Sequence, residues 1–414
     1  SEVDMRNVGS MERRGFLKQS FSALALGVAG RSTRGERSAG SSGALDPARL
    51  HREAIVIDTY GSLYLEDFQR GHVDVTVHGI GVEELFVSDA REGIIDPPQQ
   101  GKNIIENLFD GPEVVKRVLQ RVDQVLQSVR RHPDTVELAL RSADVKRIVR
   151  AGKIAVIPML NAGWIDNDLA VLRMYHRLGI RVFALTHIAA FDWVDSSGEL
   201  NPKSGLDDFG REVVRECNRI GMLLDVSHAS DQAFWDTIRT SSRPVIATHS
   251  GCRALCRVQR NLTDEMLRAL AENGGVVGIF TVPSYLDTKA LDDMMKSRFL
   301  PDYSDRDRRL AQEFSDPFEL AAAMRNTLDS HSYVEKIQLP SIDVFLDHID
   351  HAVQVAGIDH VAVSSDNEGV EDLEDRSKWP NLTRGLVERG YSDRDIRKIL
   401  GENFLRVWDQ AARP

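Results

Sequence analysis

The stretch LLDVSH at residues 223–228 is a short apolar run that ends in histidine, and PVIATH at residues 244–249 ends in the same way. A third run, HVAVSSD at residues 360–366, ends in a carboxylate. Strands buried on both faces of a parallel sheet have apolar sequences of this kind. Catalytic groups of a parallel α/β barrel lie where its strands end. We therefore predict a barrel mouth where two imidazoles and a carboxylate converge, a donor set suited to a divalent metal.

Eight apolar runs along the chain predict β-strands, with helical patterns between them. The strands are expected at 54–58, 80–88, 154–160, 181–187, 222–228, 244–249, 276–280 and 360–366. Amphipathic helices are expected at 112–129, 166–178, 207–220, 263–272 and 341–356, and a C-terminal helix pair at 380–390 and 393–408. This alternation predicts an α/β protein with a (β/α)8 TIM barrel.

One domain accounts for most of the chain. Residues 45–414 are expected to form a single barrel, since barrels of this type routinely exceed 250 residues. The charged segment 283–338 lacks a strand signal and is predicted to be a helical insertion over the barrel mouth. No internal repeat or second domain is evident in the sequence.

Charge and cysteine content exclude several classes of partner and scaffold. The net charge of −11 and the isoelectric point of about 5.6 argue against nucleic acid or an anionic membrane as the main partner. Three cysteines do not make a disulfide framework. Cys252 and Cys256 are four residues apart, but two thiols make a weak zinc signal, and two ordinary thiols are the favoured interpretation.

The first 44 residues are typical of an export signal. ERRGFLK at 12–18 has the paired arginines and following Phe-Leu-Lys of a twin-arginine signal, and the apolar segment 21–30 suits its hydrophobic region. Residues 31–44 are rich in Arg, Ser and Gly and predict a flexible linker. We expect export by the twin-arginine machinery of a bacterium, to the periplasm or the exterior.

Several motifs, in one order along the chain, resemble the membrane (renal) dipeptidase family of zinc peptidases. They are LTH at 185–187, DVSH at 225–228, THS at 248–250, RNLTD at 260–264, GIDHV at 357–361, PNLT at 380–383 and GENF at 401–404. The resemblance covers nearly all of 50–410. It implies a barrel of the metallo-dependent hydrolase type, often dimeric, that cleaves dipeptides or similar small amides at a two-zinc centre.

The resemblance also implies roles for five residues. His228 and His249 would bind one zinc ion. His187 would polarise the substrate carbonyl or hold the tetrahedral intermediate, and Arg260 would hold the substrate carboxylate by a bidentate contact. Asp366 would lie beside the metal-bound water as proton acceptor and donor, or serve as a further ligand.

Three standard ligands of the family are replaced in this sequence. The family's first strand ends Asp-Gly-His-x-Asp, whereas DTYGS at 58–62 places Tyr60 at the histidine position and Ser62 at the aspartate position. Counting back from the LTH motif without gaps places Leu160 at the position of the glutamate that bridges both metals. Without a bridging carboxylate the second metal is not expected to bind. One zinc ion is therefore expected, two are not, and a site without metal stays open. Asp58, Glu66, Asn161 and Glu368 are candidate substitute ligands.

Two hypotheses of function follow. The first is an exported dipeptidase-like hydrolase with one metal ion. The second is a non-hydrolytic barrel that binds a small molecule, or an isomerase or lyase in which Tyr60, which would contact the substrate, and the histidines move protons. A single histidine that ends an apolar run is more often structural, so the metal prediction depends on the combined pattern. The nine other histidines, including His72, His78, His348 and His351, are expected at the surface.

Overall fold

Nine parallel strands form the central sheet of the computed structural model, which describes residues 45–81, 112–187, 190–198, 204–297 and 338–413. They are β1 (Ile57–Asp58), β2 (Val75–Ile80), β3 (Val136–Leu138), β4 (Ile154–Leu160), β5 (Val182–Ala184), β6 (Leu223–Asp225), β7 (Ile246–Ser250), β8 (Val276–Ile279) and β9 (Val361–Val363). Eight of them follow the order β1-β2-β4-β5-β6-β7-β8-β9, and β3 pairs with the start of β4. Thr59 N donates to Val363 O at 3.1 Å, which brings the first and last strands together as a nearly closed barrel.

Helices follow most strands and pack outside the barrel. They are α1 (Pro47–Glu53), α2 (Leu65–Gly71), α3 (Pro112–Arg131), α4 (Ser142–Arg150), α5 (Leu169–Leu178), α6 (Asp208–Ile220), α7 (Asp231–Thr240), α8 (Asp264–Glu272), α9 (Pro283–Leu286), α10 (Thr288–Ser297), α11 (Ile342–Ala356), α12 (Pro380–Glu388), α13 (Asp393–Arg397) and α14 (Asn403–Ala411). Within the described part of the chain, no helix has both the length and the apolar character needed to cross a bilayer.

The side chains of each strand alternate between two apolar layers. On β4, Ala155, Ile157 and Met159 belong to the inner cluster that includes members of the other barrel strands. Val156 and Leu160 belong to the outer cluster, which also contains the inward faces of the helices. This alternation decides which residue at the end of a strand reaches the barrel mouth.

The structure confirms the predicted barrel and its eight strands and corrects the place of one of them. The second strand of the structure is β2 at Val75–Ile80, which begins before the predicted 80–88, and residues 82–88 of that prediction lie outside the described residues. Its polar residues Thr76 and His78 are buried, so the segment lacks the continuous apolar run that the prediction sought. The short β3 was also missed. Of the predicted insertion, α9 and α10 are described, and 298–337 lies outside the described residues, as do the predicted signal and linker at 1–44.

The expected surface position of the remaining histidines is wrong for three of them. His51, His78 and His348 are 1%, 4% and 0% exposed. His51 lies 2.6 Å from Thr383 Oγ1 and 2.8 Å from Gly71 O, and so links α1 to α12 and α2. His348 Nδ1 accepts from Cys252 N at 3.0 Å. The imidazoles of His51 and His348 have hydrogen-bonding partners inside the fold, which a single sequence does not reveal.

Candidate active site at the barrel mouth

Two buried imidazoles meet where β6 and β7 end. His228 Nε2 lies 3.0 Å from His249 Nε2, and the side chains are 9% and 1% exposed. Burial, with a further contribution from the Arg260 guanidinium, lowers the pKa of both well below the usual value. Both rings are therefore neutral at neutral pH, the form in which imidazole binds metal ions. The predicted convergence of His228 and His249 is present in the structure.

A β-bulge directs His249 toward this site. Ala247 pairs with Val277 and Ser250 with Ile279, so β7 advances three residues while β8 advances two. The extra residue changes the alternation of side chains along β7. His249 consequently lies against Tyr60 within the mouth rather than in the outer layer. Thr248 Oγ1, 2.7 Å from His249 Nδ1, holds the ring from its other side.

A third imidazole lies beside the pair. The centroids of the His187 and His228 rings are 4.1 Å apart. The main-chain oxygen of His187 accepts a hydrogen bond from Ser196 Oγ, and Ser196 Oγ also bonds the main-chain oxygen of His228 at 3.4 Å. Ser196 thus ties together the two loops that carry these histidines. All three predicted histidines of the site are brought together.

The Arg260 guanidinium is held under the histidine pair by main-chain and hydroxyl oxygens. It donates to Ser227 O, to Ser250 Oγ at 2.9 Å and to His249 O at 2.7 Å, and it lies over the Phe280 ring at 5.3 Å. Its Nε is buried and has no hydrogen-bond partner among the described residues. That N–H remains available to bind an oxygen of a substrate carboxylate.

Asp366 lies in a short left-handed segment after β9. The φ angles of Asp366 and Asn367 are 50° and 61°. The main-chain N of Asp366 donates to Tyr60 O at 3.0 Å. Such backbone conformations are uncommon outside glycine and concentrate at functional sites. Burial raises the pKa of the Asp366 carboxyl to about 7, although the attraction of Arg260 opposes this shift. The group can therefore accept or donate a proton near neutral pH.

The resemblance assigns the other metal to the positions of Tyr60, Ser62 and Leu160. None of these three side chains is a common ligand of zinc. Tyr60 stacks on His249, and Ser62 N donates to Asn367 Oδ1 at 2.7 Å. Leu160 packs in the outer apolar layer, away from the mouth. Its neighbour Asn161 lies at the mouth instead, with Nδ2 donating to Tyr60 OH at 2.9 Å. At the end of β4 it is the Asn161 side chain that lies at the mouth, whereas the side chain of Leu160, the residue that the ungapped count selected, does not.

The candidate substitute ligands do not join the histidine pair. Asp58 is paired with Arg376 at 3.1 Å and accepts from Ser365 Oγ at 2.6 Å. Glu66 is exposed and pairs with Arg70, and Glu368 is also exposed. Among the residues that the structure describes, no group of three or more His, Cys, Asp or Glu side chains is arranged to hold a metal ion.

The two Nε2 atoms of His228 and His249 are nevertheless spaced as two ligands of one metal ion would be. Two ligands at about 2.0–2.1 Å from a tetrahedral zinc lie a little over 3 Å from each other, close to the 3.0 Å between the two Nε2 atoms. A cavity of about 100 Å³ occupies the other side of Tyr60, lined by Tyr60, Ser62, His78, Arg121, Asn161 and Asn367 among others. No described residue on its lining is a carboxylate, so this cavity does not suit a second cation.

Three contributors to the site were not predicted from the sequence. Phe280, which follows β8, lies under Arg260 and 6.3 Å from the His249 ring. Arg376 holds the strand-1 carboxylate. Asn161 was named only as a substitute ligand. The position of Phe280 directly after an apolar strand was the only signal in the sequence that could have identified it.

Comparisons with known proteins identify the family of this chain. The family model for membrane dipeptidase (peptidase family M19) matches residues 49–413. Dipeptidase tcpJ of Claviceps purpurea (strain 20.1) is 32% identical over 299 residues, which cover 71% of this chain and 59% of that protein. The chain thus spans less than two thirds of this curated relative.

Solved structures share the fold. The probable dipeptidase PvdM from Pseudomonas aeruginosa has a TM-score of 0.68 and 25% identity, covering 88% of this chain and 97% of that one. A metallo peptidase from Rhodobacter sphaeroides, liganded with a phosphinate mimic of the dipeptide L-Ala-D-Ala, has a TM-score of 0.64 and 21% identity, covering 86% and 99%. The match over nearly the whole barrel establishes that this chain belongs to the membrane dipeptidase family, peptidase family M19, whose members are metal-dependent hydrolases.

Proposed function

We propose that this chain is an exported hydrolase of dipeptides or similar small amides that uses one metal ion, zinc by preference. The observation that carries this proposal is the 3.0 Å approach of His228 Nε2 and His249 Nε2 at the barrel mouth. Both rings are neutral and buried, as metal-binding imidazoles are. The family and the relatives named as dipeptidases support a small peptide as substrate.

The bound ion would act as a Lewis acid and lower the pKa of a water molecule. Asp366, whose pKa lies near 7, would take a proton from the attacking water and return it to the leaving amine. The unpartnered Nε of Arg260 would bind one oxygen of the substrate carboxylate. His187, at the side of His228, would donate a hydrogen bond to the substrate carbonyl. Tyr60 would form the wall on which the substrate rests.

Export by the twin-arginine route to a bacterial periplasm or exterior is part of this proposal. It rests on the RRGFLK motif at 13–18 and the apolar segment that follows. Substitution of both arginines by lysine should leave the protein in the cytoplasm. Fractionation of cells that express the full chain tests this expectation, and continued export of the variant would refute it.

Metal content tests the central claim. Elemental analysis of the purified full chain should find about one zinc or similar ion per molecule, and the His228→Ala/His249→Ala variant should hold none. Activity on a panel of dipeptides should disappear with a chelator and return with metal. A chain that binds no metal after incubation with excess zinc would overturn the hydrolase mechanism written here.

A second candidate function has its own supporting observation. No group of three metal ligands is found among the described residues, whereas Tyr60 OH, three imidazoles and Asp366 lie at the mouth. These groups suit a metal-free enzyme that moves protons, such as an isomerase or lyase, or a small-molecule binder. Tight binding of a small molecule by metal-free protein, with no hydrolysis of any dipeptide, would favour this candidate.

A further inference from the structure

The imidazole of His249 lies at one end of a buried chain of hydrogen bonds that begins at Asp225. Ser227 Oγ is 2.6 Å from Asp225 Oδ1 and 3.1 Å from Thr248 Oγ1, and Thr248 Oγ1 is 2.7 Å from His249 Nδ1. The four residues are between 0% and 3% exposed. Because these side chains are buried, the hydrogen bonds that join them decide where each proton lies.

The direction of every proton in this chain follows from Asp225. Its Oδ1 accepts from Ser227 N at 3.2 Å, from Ser227 Oγ and from Thr248 N at 2.8 Å. An oxygen with three donors around it is an acceptor, whether or not the other carboxyl oxygen carries a proton. Ser227 therefore donates its single hydroxyl proton in a hydrogen bond to Asp225.

Only one arrangement of protons makes both of the two remaining contacts hydrogen bonds. Ser227 Oγ has no second proton, so the Thr248 hydroxyl must donate to it. In that arrangement the Thr248 hydroxyl proton points to Ser227, so Thr248 Oγ1 accepts a hydrogen bond from His249 Nδ1–H. A second contact supports this arrangement, since His249 N also donates to Ser227 Oγ at 3.1 Å.

We propose that Asp225, Ser227 and Thr248 form a positioning relay that holds His249 as the Nδ1–H tautomer and keeps its Nε2 lone pair for a ligand between the two imidazoles. A neutral imidazole carries one N–H, so a proton fixed on Nδ1 leaves Nε2 free of one. The relay does not depend on the proposed hydrolysis, because a lone pair aimed at His228 serves a metal ion or a proton donor equally.

The two histidines are consequently unequal. With no cation between them, His249 Nε2 accepts and His228 Nε2 must donate across the 3.0 Å that separates them. When a cation binds, His249 is already in the ligating tautomer, whereas His228 must lose the proton from Nε2. The relay thus prepares one of the two ligands in advance, and fixing a ligand ring in this way commonly strengthens metal affinity 10–100-fold.

Nitrogen NMR of the histidine rings tests the relay on the full chain. Metal-free protein labelled with ¹⁵N-histidine is compared with His249→Gln and His228→Gln variants to assign the two rings. His249 should show a protonated Nδ1 and an unprotonated Nε2. His228 should show a protonated Nε2. A protonated Nε2 on His249 would overturn the relay, whatever the protein does with dipeptides.

Substitutions then link the tautomer to metal affinity, with zinc alone as the probe. Thr248→Val keeps the shape of the side chain, and it should mix the His249 tautomers and weaken zinc binding about 10–100-fold. Thr248→Ser should restore both within a few-fold. Thr237→Val is the matched control, because Thr237 is equally buried and loses only a bond to Ala233 O in α7.

Ser227→Ala provides an independent break in the chain should Thr248→Val fail to fold. Unchanged tautomers in both variants would reject the relay. If no variant and not even the wild type binds zinc, the proposed hydrolysis fails while the tautomer measurement still decides the relay. Changed tautomers with unchanged zinc affinity would limit the relay to orienting the ring and reject its role in ligand binding.

Discussion

The ring of Tyr60 lies face to face on the imidazole of His249, with centroids 3.9 Å apart and 10° between the ring planes. In the family pattern the Tyr60 position holds a histidine ligand of the other metal. Here the aromatic ring covers one face of His249 and leaves the Nε2 edge directed at His228. The same ring forms a wall of the neighbouring cavity. Its hydroxyl accepts a hydrogen bond from Asn161 Nδ2, which also lines that cavity. One residue thus separates the histidine pair from the neighbouring cavity.

Restoring the missing ligands should restore a second metal. The Tyr60→His/Ser62→Asp/Asn161→Glu variant places an imidazole and two carboxylates around the cavity, and we expect metal content to rise from about one ion per chain to about two. Elemental analysis after dialysis is the measurement.

The matched control carries Leu160→Glu in place of Asn161→Glu. Because Leu160 is 0% exposed in the outer apolar layer, the new carboxylate would be buried without a partner, which costs several kcal/mol. This variant should gain no second ion and should unfold at lower urea concentration. Equal metal gain in both variants would contradict the assignment of Asn161 to the mouth.

The buried ion pair of Asp58 and Arg376 should dominate the stability of the first strand's end. The side chains are 0% and 3% exposed, and Nε lies 3.1 Å from Oδ2. Arg376→Met should lower the free energy of unfolding by about 3–5 kcal/mol, because it leaves a buried carboxylate without its cation. Urea denaturation measures the loss. The Asp58→Asn/Arg376→Met double variant should recover part of it, and a double variant less stable than Arg376→Met would contradict this explanation.

Acid should destabilise the fold below pH 6.5 through its buried histidines. Burial lowers the pKa of His51, His78 and His348 to about 4. Since the unfolded chain takes up these protons at about 6.5, stability is fully present above that pH and falls as pH drops toward 4. Each group contributes up to about 3 kcal/mol of loss over this range. Urea midpoints measured between pH 8 and pH 4 test the slope.

The His51→Gln variant isolates one of these groups. The free energy of unfolding of this variant should fall less steeply below pH 6.5 than that of the wild type, because one of the three buried imidazoles is absent. His348→Gln removes a second of these buried imidazoles, and its stability curve should become less steep in the same way. If both variants show the same slope of stability against pH as the wild type, His51 is ruled out as a source of acid sensitivity.

Removal of the Asp366 carboxylate should abolish most hydrolysis without abolishing metal binding. Asp366→Asn keeps the size of the side chain and suits the left-handed backbone, whose φ is 50°, but it cannot accept a proton. We expect kcat to fall about 10²–10⁴-fold, the usual contribution of a general base, with one ion still bound. Steady-state kinetics and elemental analysis on the same preparation separate the two effects. Loss of the ion along with activity would make Asp366 a ligand rather than a base.

Apolar runs and motif order were enough to predict the barrel and the family. Buried parallel strands have to be apolar, so runs such as 154–160 and 276–280 coincide closely with β4 and β8. Histidines at the ends of such runs were correctly expected to converge, because the carboxyl ends of parallel strands share one edge. The second strand was misplaced because its buried Thr76 and His78 interrupt the apolar pattern.

The sequence by itself determined the fold, the family and which side chains could bind a metal, since these depend on the order of apolar runs and the chemistry of residue types. Only the tertiary structure decided which residues face the mouth. The bulge in β7 turns His249 inward, and the alternation along β4 directs Asn161 rather than Leu160 to the site. A shift of one residue reverses the face of a strand side chain, and hydrogen bonds between distant segments, such as Asp58 with Arg376, form only when the barrel closes.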